Sequence, residues 1–292
     1  MATDPNELVT DELKVLAILA DPAYVVPPAP PVPAGEHGTL AWLRAHVARF
    51  CDGEVHDRRR LLAENELAGL DPDRLRAAAA ELTRAWLVRA AGTVPFDVMI
   101  VARRVPVAVL ATALGVAPEV TASAVDAVLA SASGYPNPDA AGPDADAAVK
   151  TLAAALGPGT DEAVANRIGL LEQACDATAA LIGNALIGAF AGGEETDADG
   201  ADDVVESTLS SDPPVRRTRR LAPDGTAITL DISTCTFGAG RRPCPGQAQA
   251  KALASGVVEA VLESCELAEQ QLTYVPSPNL RMPATLLVEF TG

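Results

Sequence analysis

Apolar residues recur at helical spacing along most of this chain, with only a few short alternating runs. From Asp11, the residues Leu13, Leu16, Ala17 and Leu19 keep one face apolar until Asp21 and Pro22 stop the run, and strand-like Glu7-Leu8-Val9-Thr10 precedes it. Pro27 to Pro33, PPAPPVP, predicts an extended connector. Helices are predicted over about 39–50, 56–67, 72–91 and 96–115. Asp71-Pro72 and Pro95 mark starts, because a proline in the first helical turn forfeits no hydrogen bond. Residues 133–148, SGYPNPDAAGPDADAA, read as a loop rich in breakers.

The longest apolar stretch, Ile168 to Gly193, carries Glu172 and Asp176, and two carboxylates inside it favour a buried helix, over about 166–191, rather than a membrane span. Residues 192–205 are acidic without a base and predict a solvated connector. Ala227 to Ile232 alternate as a strand, and a helix is predicted from about Gln247 to Glu269. Leu272 to Tyr274 and Ala284 to Phe290 read as two strand segments around a proline-broken turn.

Composition sharpens this to a mainly α chain. The 292 residues are 49% hydrophobic and only 3% aromatic, with Ala-rich helix formers recurring throughout, enough to bury one large core. A net charge of -17 argues against general affinity for nucleic acid or an anionic membrane surface. The five cysteines are scattered and odd in number, unlike a secreted disulfide framework, and MATDPNELVTDELK has no signal-peptide pattern, so a reducing cytoplasm is expected.

Candidate chemistry concentrates in Thr236 to Gly246, TFGAGRRPCPG. Gly238-Ala239-Gly240 begins like a dinucleotide fingerprint, but Pro243 fills the final glycine position and no parallel βαβ pattern surrounds it. A zinc site would need more ligands than Cys235 and Cys244 at matching spacing. A turn with a buried inert cysteine is the bland reading.

The full pattern, Phe237-x-x-Gly240-x-Arg242-x-Cys244-x-Gly246, resembles the heme-binding loop of the cytochrome P-450 family, F-x-x-G-x-R-x-C-x-G. The resemblance implies that Cys244 ligates the iron of heme b as a thiolate, with glycines allowing close backbone approach and the following helix aiming its N-terminus at the sulfur. His56-x-x-x-Arg60 resembles the family's C-helix pair that holds heme propionates, and Asp212-Pro213-Pro214-Val215 with Thr218-Arg219-Arg220 resembles the segment whose arginine meets a propionate. Val105-Pro106 to Gly115-Val116 resembles the next helix. Leu170 to Leu186 resembles the I helix crossing the distal heme face, which makes Asp176 the acid that delivers protons to bound dioxygen. Heme carries two anionic propionates, for which His56, Arg60, Arg220 and Arg242 are suited.

Departures accompany the matches. The family's threonine directly follows the acid, whereas Ala177 stands here and Thr178 comes one position later, about 100° around a helix. The K-helix E-x-x-R pair falls at Ser207 and Ser210, so both charges are gone. Only Leu221 to Thr236 separate Arg220 from the loop, and the strands before the B helix are absent. The expectation is therefore a P-450-like fold, mainly helical with small β segments, abridged at the N-terminus and before the heme loop. It would form one domain over 1–292, with a helical region at 35–190 and a proximal region at 206–292.

Two functions stay open on these residues. One is a heme-thiolate oxidoreductase acting on a small organic substrate, driven by peroxide or by an acidic ferredoxin docked on Arg216, Arg217, Arg219, Arg220, Arg241 and Arg242. The other is a catalytically silent accessory protein that scaffolds another biosynthetic enzyme.

Overall fold

A computed structural model describes residues 8–32, 36–92, 95–192 and 200–291. Glu7, Pro33 and residues 193–199 of the acidic stretch lie outside them. The chain begins with strand β1 (Leu8–Val9) and helix α1 (Glu12–Ala20), whose N-terminus is capped by Asp11 accepting from the Lys14 amide at 2.8 Å. The helix expected over 39–50 divides, because Val47 is extended: α2 (Leu40–His46) ends there and a short 3-10 turn, Ala48–Phe50, follows. Helices α3 (Gly53–Ala68) and α4 (Pro72–Ala90), strand β2 (Phe96–Asp97) and helix α5 (Met99–Ala113) come next.

Two helices arise that the hydrophobic pattern did not announce. α6 (Pro118–Ser131) and α7 (Ala145–Ala155) bury alanines and valines such as Ala124, Val128, Ala148 and Val149, whose small side chains give little contrast with their neighbours. α7 occupies the end of the stretch read as a loop. α8 (Asp161–Ala191) is the long helix expected there, 31 residues capped by Thr160. Length and composition alone would let α8 cross a membrane, yet it runs through the core against α5, α9 and α10, the last two bounded below.

The acidic stretch is partly helical, since α9 (Ala201–Ser211) places Asp202 and Asp203 in its first turn, where the helix dipole favours negative charge. β3 (Arg217–Leu221) and β4 (Ala227–Asp231) form an antiparallel hairpin, and β1 joins β4 in parallel with Val9 opposite Leu230. α10 (Gln247–Leu262) stops short of Glu269, because the chain turns into β5 (Cys265–Leu267). β6 (Leu287–Phe290) lies between β2 and β5, whereas the strand expected at 272–274 is reduced to a single bridge from Tyr274 to Pro283.

α10 crosses α4 at close range. A Cβ on Gly256 would stand 2.2 Å from the Arg76 carbonyl oxygen, so only glycine permits this contact. Ion pairs then tie three helices together, with Arg76 bonded to Asp202 and Glu259, and Lys251 to Glu206. Behind α8 lies a buried polar cluster. Glu172 accepts from Ser131 Oγ, and among the described residues its second oxygen, like the Tyr135 hydroxyl, has no hydrogen-bond partner. Arg44 donates to the Tyr135 carbonyl and lies 4.0 Å over the Phe50 ring.

Burial pushes the Glu172 carboxyl up to about 8, against the smaller opposing pull of the Ser131 hydrogen bond. Between its usual value near 4.5 and about 8, the folded chain binds a proton that the unfolded chain does not, so stability falls as pH rises through that window. Glu172→Gln should match the parent near pH 5 and exceed it near pH 8 by on the order of 2–4 kcal/mol in urea unfolding. Parallel stability–pH curves for the two proteins would contradict the buried, protonated carboxyl.

Candidate active site

The loop from Ile232 to Gly246 is fixed by its own backbone and by neighbours. The Gly238 amide donates to the Cys235 carbonyl and the Cys244 amide to the Phe237 carbonyl, both at 2.7 Å. Gly238 and Gly240 have φ of +74° and +66°, where other residues are strained. A Cβ at Gly240 would also meet the Leu19 carbonyl oxygen at 2.4 Å, so the loop lies directly on the end of α1. Arg242 donates to the Cys51 carbonyl and to Asp52 Oδ1, while Asp52 Oδ2 accepts from the Val26 amide at 2.7 Å. Phe237 is half-buried against the main core. Gly246 is the N-cap of α10, and its backbone favours the ionised form of Cys244.

A cavity of about 380 Å³ separates this loop from α8. Cys244 is on one wall, and Gly169, Leu170, Gln173, Ala174, Ala177 and Thr178 of α8 are among the other lining residues. Among the five cysteines, all free, Cys244 alone is exposed, and what it is exposed to is the cavity. Protein still screens the thiol from bulk water, so burial raises its pKa, opposed by the Gly246 amide and by Arg60 and Arg49.

Among the described residues four arginines line the cavity, Arg49, Arg60, Arg220 and Arg242, together with His56 and no carboxylate. His56 and Arg60 share the cavity face of α3, as their spacing predicts. His56 is buried with its Nδ1 2.9 Å from Asp57, and burial lowers its pKa. Arg60 pairs with Glu64 at 2.7 Å and Arg242 with Asp52 at 3.0 Å. Among the described residues Arg220 forms no ion pair, though Asp52 attracts it from further off. Arg220 is 7% exposed and donates only to Thr218 Oγ1 and the Arg219 carbonyl, and burial, with Arg242 nearby, depresses its pKa to about 10.

Thr178 and Ala177 line the cavity; Asp176 does not. Its carboxylate is held at 2.8 Å by Arg103 of α5, on the flank of α8. Ser207 and Ser210 are exposed on α9, whose buried face is Val205, Thr208 and Leu209. Arg49 and Gln173, bonded to each other across the cavity wall, drew no notice in the sequence, since their contact spans 124 residues.

These residues fit heme b. Among the described residues no three His, Cys, Asp or Glu side chains converge on a metal position, so the lone Cys244 suits a metal that brings its other ligands in a macrocycle. The buried, unpaired Arg220 and the carboxylate-free lining suit a dianionic edge.

No protein-family model matches this sequence, and no curated protein matches it. Many solved structures match the fold. P450BioI, solved with acyl carrier protein bearing hexadec-9Z-enoic acid, superposes with a TM-score of 0.79 at 18% identity, covering 97% of this chain and 92% of that one. The P450 heme domain of Tepidiphilus thermophilus gives 0.77 at 18% identity, covering 97% and 88%. P450 RauA, solved with a biosynthetic intermediate of aurachin RE, gives 0.75 at 18% identity, covering 98% and 91%. The fold is that of the bacterial-type cytochrome P450 structures, carried here by 292 residues.

Arg220 is costly while it lacks an anion. In the heme-free protein, Arg220→Gln should raise stability by about 1–3 kcal/mol in urea unfolding while weakening hemin uptake about tenfold or more. A variant less stable without heme would show that Arg220 is a structural residue only.

Proposed function

We propose that this chain is a heme-thiolate oxidoreductase of the P450 type that binds heme b through Cys244 and oxidises a small organic substrate in specialised metabolism in the cytoplasm. The observation that carries the reading is the single exposed thiol, Cys244, facing α8 across a carboxylate-free cavity that contains a buried, unpaired arginine. P450BioI and RauA, solved with an acylated carrier protein and with a biosynthetic intermediate, support an organic substrate. Thiolate-bound heme supplies the redox chemistry that cleaves an O–O bond.

The chain's own residues do the rest. Gly240 and Gly246 let the backbone bring Cys244 to its position, and Phe237 packs the loop on the core. Arg220 would hold a propionate; Arg60 and Arg242 would share theirs with Glu64 and Asp52, and His56 would complete the edge. Thr178 presents its hydroxyl to the cavity as a proton carrier. Asp176 would relay protons by leaving Arg103, taking a proton from solvent at this partly exposed pair and passing it toward Thr178. Electrons come from an acidic ferredoxin at exposed Arg217, Arg219 and Arg241, which alternate outward while Thr218 and Arg220 face the cavity, or peroxide replaces the donor.

A silent accessory protein is the second reading, favoured by one observation: Asp176 is locked by Arg103 away from the cavity and Ala177 stands in its place. Titration of the purified chain with hemin decides between them. The catalytic reading predicts uptake of one hemin per chain and, after reduction under carbon monoxide, a strongly red-shifted Soret band that Cys244→Ala abolishes. Absence of any hemin uptake would leave the accessory reading.

A further inference from the structure

Arg49 is a cation of a different kind from the others in the cavity. It sits in the turn Ala48–Phe50, at the exposed rim, and its guanidinium donates to Oε1 of Gln173 on α8 at 3.3 Å. Gln173 is itself oriented by donating to the Gly169 carbonyl at 3.0 Å. The Phe50 and Tyr135 rings each lie 5.7 Å from the guanidinium carbon, so the group is steered without being neutralised. Among the described residues Arg49 meets no carboxylate. His56, Arg60, Arg220 and Arg242 belong to α3, β3 and the cysteine loop, whereas Arg49 alone of the cavity's cations is tied to α8.

Resting on the heme-thiolate reading, we propose that Arg49 is the anchor for a carboxylate on the substrate and that Gln173 is its stand-in partner when no substrate is bound. A long bond to a neutral amide is a weak hold on a guanidinium, and a carboxylate offers two charged acceptors in the fork geometry that arginine matches. The side of the cavity formed by α5 and α8 is mostly apolar, with Leu110, Leu170, Ala174, Ala177 and Leu181. The substrate class is therefore an amphipathic organic acid, with its charged end at the rim and its apolar body along α8. In a chain of net charge -17, a cationic rim also draws such an anion to one place.

The test compares 4-phenylbutyrate with its neutral amide, 4-phenylbutanamide, by calorimetric titration of the full chain with and without hemin. The acid should bind at least about tenfold more tightly than the amide. Arg49→Gln should erase that ratio, Arg49→Lys should keep part of it, and Gln173→Ala should tighten the acid. Hemin affinity, read separately from the Soret band, should fall far less in Arg49→Gln than the acid-to-amide ratio does. An unchanged ratio in Arg49→Gln, or no binding of the acid, overturns the proposal. So does a loss of hemin affinity in Arg49→Gln that is absent with hemin dimethyl ester, which would assign Arg49 to a propionate. If the chain takes up no hemin, the heme reading fails by itself, while the acid-to-amide ratio of the hemin-free chain still judges Arg49.

Discussion

The contact between the Gly240 backbone and the last turn of α1 governs this structure. A loop with two glycines at positive φ is floppy on its own, since glycine has the most conformational freedom to lose. Here the Leu19 carbonyl presses on Gly240, Arg242 is anchored to Cys51 and Asp52, and Asp52 in turn holds the Val26 amide. The start of the chain, the extended connector and the entry to α3 therefore converge on one loop. Cys244 faces the cavity because those three segments leave its loop no other course, and α10, locked on α4 through Gly256, fixes the other end.

Charge explains how a short chain keeps such a site. The surface is strongly acidic, yet the cavity wall is cationic and free of carboxylates. Glu64 and Asp52, outside the lining, neutralise Arg60 and Arg242, which makes those arginines tolerable when the cavity holds no anion. Arg220 makes no such pair among the described residues, and a desolvated cation without a paired counter-ion costs stability. A protein needing only a stable fold gains nothing from such a residue, so its presence is an argument for a bound anion. Ser207 and Ser210 complete the picture. They are exposed on α9, and the part-exposed pairs of Arg76 and Lys251 join α4, α9 and α10 instead. Each such pair is weak individually, so burial along these helices does most of the holding.

What the sequence made legible follows from how local each signal is. The Cys244 loop was readable because its glycines, arginine and cysteine sit within eleven consecutive residues, and His56 and Arg60 because one helical turn separates them. α8 and the β4 strand were readable from periodicity. α6 and α7 were not, since faces of alanine and valine carry little amphipathic contrast. Neither was the end of α10, where pairing of β5 with β6 overrides helical propensity. The pairings that define the site's chemistry were out of reach for a different reason. Arg103 and Asp176 are 73 residues apart, Arg44 and Tyr135 are 91, and Arg49 and Gln173 are 124. No spacing rule reaches across such distances.

The central claim is that Cys244 supplies the sulfur ligand to a heme iron. Iron K-edge X-ray absorption on the hemin-loaded chain tests it most directly, because a sulfur scatterer is distinguishable from nitrogen or oxygen in the iron's first coordination shell. The account predicts one sulfur beside the porphyrin nitrogens in the parent protein and none in Cys244→Ser. A first shell of nitrogen and oxygen alone in the parent would contradict it.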